Sequence, residues 1–370
     1  MIAPTARTTS LPVWLGALCL ALLLAACSDP ASPQPCTAVD AVACWTYLGL
    51  EGKPILSLAS TRSGGVVAGT LGDGIWKLDG SGQWTRTALA GFRVPALLPV
   101  LSGSQELLFA GVAFLPLGEP TKAAVEMSLD GGDTWIARDG GLSAQRGGAD
   151  VFSLATDPGV PGRIFAGTAP AVLRSDDYGV SWSVVYGTLG MAGPSVASMS
   201  ISRTGTSARI WAGGMNGAGD DAFVRYSDDG GATWVKPTRP GFDYDFIVGL
   251  LADPAQPDHL LAGMRGGVRE TRDGGATWTV ALATTRPANV HALARIGARL
   301  VAVSDEDESG NGVPLRDALG VYGSHDGGVT WDTLAVPPTA SGGFSVVAES
   351  ENSMLVGTRS GVWRVRFRQQ

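Results

Sequence analysis

The sequence predicts an all-β fold: a seven-bladed β-propeller of four-stranded blades, whose ring is closed by an N-terminal strand. Two observations predict it. An eight-residue pattern, Ser-x-Asp-x-Gly-x-Thr-Trp, recurs along the chain, and a similar pair of apolar strands precedes each copy. Tryptophans recur in step with the pattern, at Trp45, Trp84, Trp135, Trp182, Trp234, Trp278 and Trp331. The intervals between them, 39 to 53 residues, suit one four-stranded blade.

Each copy of the pattern, called a box from here on, is predicted to be the turn between the third and fourth strands of a blade. Its aspartate can accept hydrogen bonds from N–H groups in the turn, and its glycines allow positive φ. Its tryptophan begins the next strand and has a large apolar face to bury. The expected structural residues are Asp79, Asp130, Asp177, Asp229, Asp273 and Asp326, with Trp84, Trp135, Trp182, Trp234, Trp278 and Trp331. The first copy, at 77–84, keeps only its aspartate and its tryptophan.

The stretch before each box is predicted to form the first two strands of a blade. The first strand is a short apolar run, as at 55–58 and 151–154, and the second ends in Ala-Gly or Val-Gly, as at 67–69. Seven such stretches predict seven blades. The last stretch ends near 361–365 without a box, and the segment at 45–48 has no strands before it. Pairing of these two segments would close the ring and remove an open sheet edge.

The first 26 residues are predicted to be a signal peptide. Their apolar run, at 11–26, is short for a transmembrane helix of about 20 residues and ends before Cys27 in Leu-Ala-Ala. This ending resembles the bacterial lipobox, which implies lipidation of Cys27; an ordinary signal peptide is the alternative. Residues 27–44 would then be a tether and 45–370 the propeller, held at the cell envelope on the periplasmic or outer side of the outer membrane.

The remaining cysteines, Cys36 and Cys44, are predicted to form a disulfide, because an envelope compartment is oxidising; two free thiols are the alternative. Two cysteines and three scattered histidines do not predict a zinc site. The net charge of −7 argues against a nucleic-acid partner. We expect a monomer that reaches the membrane only through its lipid.

With these boxes, the chain resembles the BNR or Asp-box repeat propellers. That superfamily includes sialidases, xyloglucanase-type glycoside hydrolases, sortilin-like receptors and photosystem II assembly factors. The resemblance covers nearly all of 45–370, and it implies that ligands bind on the face opposite the boxes. The Asp-Pro phrases at 155–161 and 252–257 look most like the non-enzymatic, assembly-factor branch. One fold hosts many sites, so the boxes predict the fold and not the activity.

The expected function is that of a non-catalytic module that binds an envelope protein or a glycan. The alternative is an exo-acting glycoside hydrolase of the sialidase kind. The segment 92–98 resembles the Arg-Ile-Pro segment of sialidases, which makes Arg93 a candidate for binding a sugar carboxylate. Tyr244, between Asp243 and Asp245, is the candidate nucleophile with a partnering carboxylate. The count of seven blades argues against this alternative, because sialidases have six.

The long excursion at 304–320 is expected to be an acidic loop. It contains the start of a calcium-loop pattern, with Asp305, Asp307 and Ser309 as candidate ligands. The twelfth position of that pattern is Arg316 where an EF-hand has glutamate, and no flanking helices are expected. The sequence therefore predicts no cofactor and leaves calcium as the one candidate ion.

Overall fold

The computed structural model describes residues 43–113, 123–142, 150–190, 193–216, 222–237, 246–284, 288–307 and 317–368, without the side chains of residues 306, 307 and 317. These residues form 27 β-strands and no α-helix. Accordingly, this part of the chain has no helix of the length and apolarity that crossing a membrane requires.

The strands form seven antiparallel sheets, and each sheet is one blade. Blade 1 has β2 (Ile55–Ser60), β3 (Val66–Thr70), β4 (Ile75–Leu78) and β5 (Trp84–Ala88). Blade 2 has β6 (Arg93–Ser102), β7 (Gln105–Ala113), β8 (Val125–Ser128) and β9 (Ile136–Ala137). Blade 3 has β10 (Val151–Thr156), β11 (Ile164–Thr168), β12 (Ala171–Ser175) and β13 (Ser183–Gly187). Blade 4 has β14 (Ser195–Thr204), β15 (Ser207–Met215) and β16 (Ala222–Ser227).

Blades 5 to 7 complete the ring. Blade 5 has β17 (Ile247–Asp253), β18 (Gln256–Met264), β19 (Gly267–Thr271) and β20 (Thr279–Ala283). Blade 6 has β21 (Ala288–Ile296), β22 (Arg299–Asp307), β23 (Asp317–Ser324) and β24 (Asp332–Thr333). Blade 7 has β25 (Gly343–Ser350), β26 (Ser353–Thr358) and β27 (Gly361–Phe367), with β1 (Ala43–Gly49) as its outer strand. The first strands, β2, β6, β10, β14, β17, β21 and β25, contact one another in turn around the axis.

The prediction of seven blades is confirmed, and so is the closure of the ring. β1 pairs antiparallel with β27, with Ala43 opposite Phe367 and Thr46 opposite Arg364. Because the first strand of the chain thereby completes the last blade, the ring has no unpaired edge at its seam.

Two elements differ from the sequence-based expectation. The fourth strand of blade 4 is reduced to one bridge between Tyr226 and Val235, and Pro237, which has no N–H to donate to a ladder, follows two residues later. In blade 6, β22 and β23 pair out to Asp307 and Asp317. The excursion at 304–320 is therefore strand at both ends, and the expectation of a loop along its whole length was wrong.

The hydrophobic core lies between the blades. Seven clusters of buried apolar side chains each join two neighbouring blades. Between blades 2 and 3, for example, Phe109 and Met127 pack with Ile164 and Leu173. Burial of such side chains stabilises a fold by about 1.5–3 kcal/mol each, so neighbouring blades stabilise one another.

The glycine near the end of the second strand in six of the seven blades has a packing role. A Cβ at Gly167 would lie 2.3 Å from Ser153 Oγ and 2.6 Å from the carbonyl oxygen of Val196 on the next blade. The Ser153 hydroxyl donates to that same carbonyl at 3.1 Å. Gly69 makes equally close approaches in blade 1. Only glycine leaves room for the next inner strand here, which explains the repeated Ala-Gly and Val-Gly pairs.

The boxes form the turns that the sequence predicts. In blade 4, Oδ1 of Asp229 accepts hydrogen bonds from the Ser227 hydroxyl and the Thr233 N–H, both at 2.8 Å. Its Oδ2 accepts the Thr233 hydroxyl. The Trp234 indole N–H donates at 3.0 Å to the carbonyl of Val185 in blade 3, which fixes the hairpin to the preceding blade.

Candidate functional site

The ring has two faces that differ in their loops. The first and third strands of a blade run in the same direction, so the inner strands end on the face that carries the boxes, called the box face. The inner strands begin on the opposite face, called the entry face. The loops between second and third strands also lie there. The entry face is therefore where the sequence places ligand binding.

A central cavity of about 420 Å³ lies at the axis of the ring. All seven inner strands contribute to its lining, which is mostly apolar and includes Phe152, Leu154, Val248 and Phe344. Arg93, the first residue of its inner strand, belongs to the lining, which places the cavity toward the entry face. Its size is within the range of small-ligand pockets, about 300–1,000 Å³.

Arg93, the sequence-predicted carboxylate binder, lies in this lining and is half-buried. Its Nε atom is buried and has no hydrogen-bond partner among the described residues. Among the described lining residues it is the one arginine. The structure thus places Arg93 where it can contact a ligand, without bringing a second described arginine into the lining beside it.

His291 is the second titratable group of the described lining, and sequence reasoning missed it. Its Nε2 lies 3.1 Å from Asp305 Oδ2, although off the direction of a good hydrogen bond. Burial raises the pKa of Asp305, but the contact with His291 and the N–H of Asn289 outweigh burial and hold that pKa below its ordinary value. The sequence signal that could have found His291 was its polar side chain within the apolar run 290–293, where an inner strand was predicted.

Asp305 also bears on the calcium hypothesis. Its Oδ1 accepts the N–H of Asn289 at 3.0 Å while its Oδ2 faces His291, so the carboxylate is directed at β21. Among the described side chains, no three histidine, cysteine, aspartate or glutamate residues are grouped as a metal site requires. The side chain of Asp307 and the whole of Ser309 lie outside the described residues. Calcium binding stays an untested alternative to the prediction of no cofactor.

The other sequence-predicted site residues also lie outside the part of the chain that the structure describes: Asp243, Tyr244, Asp245, Cys27 and Cys36. Cys44 is disulfide-bonded. Its pairing with Cys36 and the lipidation of Cys27 stay predictions, and the catalytic role of Tyr244 stays a candidate of the hydrolase alternative.

The box aspartates lie on the box face, away from the central cavity. The Thr233 hydroxyl and N–H lower the pKa of Asp229 to about 2. For Asp273, the Thr277 hydroxyl and N–H likewise lower the pKa to about 2. Carboxylates that are fully ionised and bonded within their own turn act as structural acceptors.

A larger cavity, about 790 Å³, borders the incomplete box of blade 1. Lysine stands there at the position that serine has in full boxes. Lys77 pairs with Asp133 at 2.7 Å, and Arg364 pairs with Glu349 at 2.6 Å. The cationic side chains of this cavity are therefore already neutralised, whereas the central cavity keeps an unpaired arginine nitrogen. We take the central cavity as the candidate site.

Comparison with known proteins agrees with this architecture. The family profile of the BNR/Asp-box repeat matches residues 225–236, which contain the box of blade 4. The protein is a seven-bladed β-propeller, and one of its boxes matches the BNR/Asp-box repeat. No curated protein matches the chain in sequence.

Three solved propellers are similar to this chain. An ancestral GH74 enzyme has a TM-score of 0.65 at 13% identity and covers 87% of this chain and 48% of its own. An extracellular domain from B. thetaiotaomicron has a TM-score of 0.60 at 15% identity, with 87% and 39% covered. YCF48 bound to D1 peptide has a TM-score of 0.58 at 15% identity, with 89% and 96% covered. This chain thus spans less than half the length of the first two, and at such identities the likeness shows the fold alone.

Proposed function

We propose that this propeller is a non-catalytic binding module that recognises a protein partner through its entry face. The observation that supports it most is the apolar lining of the central cavity, which lies toward that face. The central cavity is lined mainly by aliphatic and phenylalanine side chains. Around it, Leu71, Met215 and Phe246 are each about 40% exposed at the entry-face ends of blades 1, 4 and 5. Exposed apolar groups around a rigid pocket are typical of interaction sites.

The chemistry of the described lining favours binding over hydrolysis. Glycoside hydrolysis generally uses two carboxyl groups that face each other across the scissile bond. The described residues of the cavity lining include one arginine and one histidine and no carboxylate. A peptide complex of the same fold, YCF48 with D1 peptide, is a precedent for a propeller of this kind as a protein-binding module.

The proposed lipid anchor fits this use of the entry face. β1 begins at Ala43, opposite Phe367 at the end of β27, and third strands end on the box face. β1 therefore enters the propeller on the box face. An anchor ahead of β1 would be compatible with an entry face open to partners in the envelope.

Site-specific photo-crosslinking in cells tests the proposal. A photoreactive phenylalanine analogue is placed at Leu71 on the entry face, or at Leu129, a box residue that is 50% exposed. We expect a discrete protein adduct from position 71, absent from position 129 and lost when Phe344→Ala is added.

Two outcomes would contradict the proposal. One is an adduct that forms only from position 129 on the box face. The other is turnover of aryl glycosides, a sialoside included, by the purified protein that disappears in Arg93→Ala. The second outcome would establish the hydrolase instead, and selective binding in a glycan panel without turnover would establish a glycan-binding module.

A further inference from the structure

Most polar groups in the wall of the central cavity already have partners in neighbouring blades. The hydroxyl of Ser57 donates to the carbonyl of Val94 at 2.7 Å, and that of Ser153 donates to Val196 in the same way. Ser345 donates to the carbonyl of Ile55 across the seam of the ring. These hydroxyls fasten inner strands to one another, so they offer little to a ligand.

His291 differs from these serines, because the residues that hold its ring in place leave part of the ring exposed to the cavity. One ring nitrogen, Nε2, is buried against Asp305. The ring also meets Phe344 edge to face, with centroids 5.2 Å apart and planes at 67°. The His291 side chain nevertheless stays 21% exposed and lines the cavity.

The charge of the Asp305 carboxylate, 3.1 Å from Nε2, favours one position of the ring proton. An ionised aspartate beside Nε2 favours the tautomer with its proton on Nε2. In the neutral ring, Nδ1 then has a free lone pair, which accepts a hydrogen bond. Besides serine hydroxyls that are already bonded to neighbouring strands, the described cavity wall therefore offers an imidazole acceptor among phenylalanine and aliphatic side chains. This arrangement suits an aromatic group with a donor at its edge.

We propose that the central cavity is the anchor pocket of the entry face and that it takes a phenol side chain, a tyrosine of the partner, whose hydroxyl donates to His291 Nδ1. Its ring contacts Phe152 and Phe344, which both line the cavity. Aromatic side chains seated in central pockets often dominate the affinity of an interface. This inference rests on the proposed function and names the chemistry of its anchor.

Small aromatic probes test the anchor directly on the full chain. p-Cresol has the phenol ring and its donor, p-methylanisole has the ring without the donor, and toluene has neither oxygen nor donor. Affinities are measured by NMR titration. We expect p-cresol to bind about tenfold more tightly than p-methylanisole, since a matched hydrogen bond is worth roughly one order of magnitude in affinity.

Variants assign that preference to the imidazole. His291→Phe should abolish the preference for p-cresol and still bind toluene, and His291→Asn serves if the first variant does not fold. Asp305→Asn should weaken the preference, because it no longer selects the Nε2 proton. His325→Phe is the matched control, since His325 is exposed in a box, and it should change nothing.

Equal affinity for p-cresol and p-methylanisole would overturn the anchor, as would a preference that survives in His291→Phe. Failure of all three probes to bind up to their solubility limits would overturn it as well. Each of these results leaves the crosslinking from position 71 standing, so failure of the anchor and failure of the binding module are distinguishable.

Discussion

Asp229 shows how a single residue stabilises a box. Its carboxylate accepts hydrogen bonds at both oxygens, from Ser227 and Thr233, although it lies on an exposed turn. In the incomplete box of blade 1, the bonds from Ser81 and Gln83 all go to Oδ1 of Asp79. The difference follows from the sequence, because a glutamine replaces the threonine whose hydroxyl would reach Oδ2.

We expect Asp229→Asn to lower the free energy of unfolding by about 1 kcal/mol at neutral pH, a figure that allows for solvent screening. The folded pKa of about 2 lies below the ordinary 3.8. The ionised carboxylate therefore favours the folded state above about pH 4, and this contribution is lost as pH falls from about 4 to about 2. Urea denaturation at several pH values should show a flatter acid dependence in the variant.

Asp332→Asn provides the control for this experiment. Asp332 is an exposed carboxylate in the outer strand of blade 6, outside the turn of the box. We expect its substitution to leave the urea midpoint nearly unchanged across the same pH range. Equal losses in the two variants would mean that general charge, and not the hydrogen bonds of the box, stabilises the fold.

At the scale of the strand, a glycine near the end of the second strand lets blades 1, 3 and 7 approach the next blade closely. In blade 3, Gly167 leaves room for Ser153 of the inner strand to donate to the Val196 carbonyl of the neighbouring blade. A box hairpin does the same on the box face: a Cβ at Gly132 of blade 2 would lie 3.1 Å from Val67 of blade 1. These close approaches join blades that share no strand.

We expect Gly167→Ala to destabilise the protein by about 1–3 kcal/mol, because the added Cβ would overlap Ser153 Oγ and the Val196 carbonyl. Thermal unfolding followed by circular dichroism measures the loss. Gly80→Ala is the matched control: nothing lies within 4 Å of a Cβ there, and its φ lies outside the left-handed region. A Gly167→Ala protein as stable as the Gly80→Ala protein would refute the packing role.

At the scale of the whole molecule, the seam at blade 7 decides whether the ring stays closed. Tyr47 of β1 packs on Trp363 of β27, with ring centroids 4.9 Å apart, and donates its hydroxyl to the carbonyl of Ser360 at 3.1 Å. Burial, and then the charge of Glu51, raises the pKa of Tyr47 to about 12, so the phenol stays a donor. The Tyr47 side chain thus connects β1, the first strand of the propeller, to β27, the last.

We expect Tyr47→Ala to lower the free energy of unfolding by about 2–4 kcal/mol, since a half-buried aromatic side chain is lost from a packed site. Hydrogen exchange should show β1 and β27 opening before the other blades. The control is Tyr186→Ala, which removes a tyrosine packed on Phe223 and Trp234 away from the seam. Uniform loss of protection in Tyr47→Ala would contradict a special role of the seam.

The blade count and the box turns were predictable from the sequence because they are local. The closing strand pairs residues at opposite ends of the propeller, and it was predictable because the last stretch lacks a box and the segment at 45–48 has no strands before it. The hydrogen bonds of a box join residues two to four positions apart, like those that Ser227 and Thr233 donate to Asp229. Two elements were predicted incorrectly. The fourth strand of blade 4 is reduced to one bridge ahead of Pro237. The segment 304–320 is strand at both ends, because β22 and β23 continue to pair there.

The candidate site was only partly predictable. Arg93 was found through its resemblance to a known segment, and it does line the cavity. His291, Phe152 and Phe344 looked like ordinary members of apolar strands, because nothing local tells which side chains of a strand face the axis.

The sequence by itself determined a ring of seven blades, since repeated turns and apolar strands specify each blade from within. Only the tertiary structure decided what meets at the axis. Seven inner strands, distant from one another in sequence, converge there and place Arg93, His291 and Phe344 in one cavity. The physical reason is one of range. The hydrogen bonds of a turn and the spacing of apolar residues depend on consecutive residues, which the sequence shows directly. The neighbours of a side chain across the closed ring depend on how every blade packs on the next.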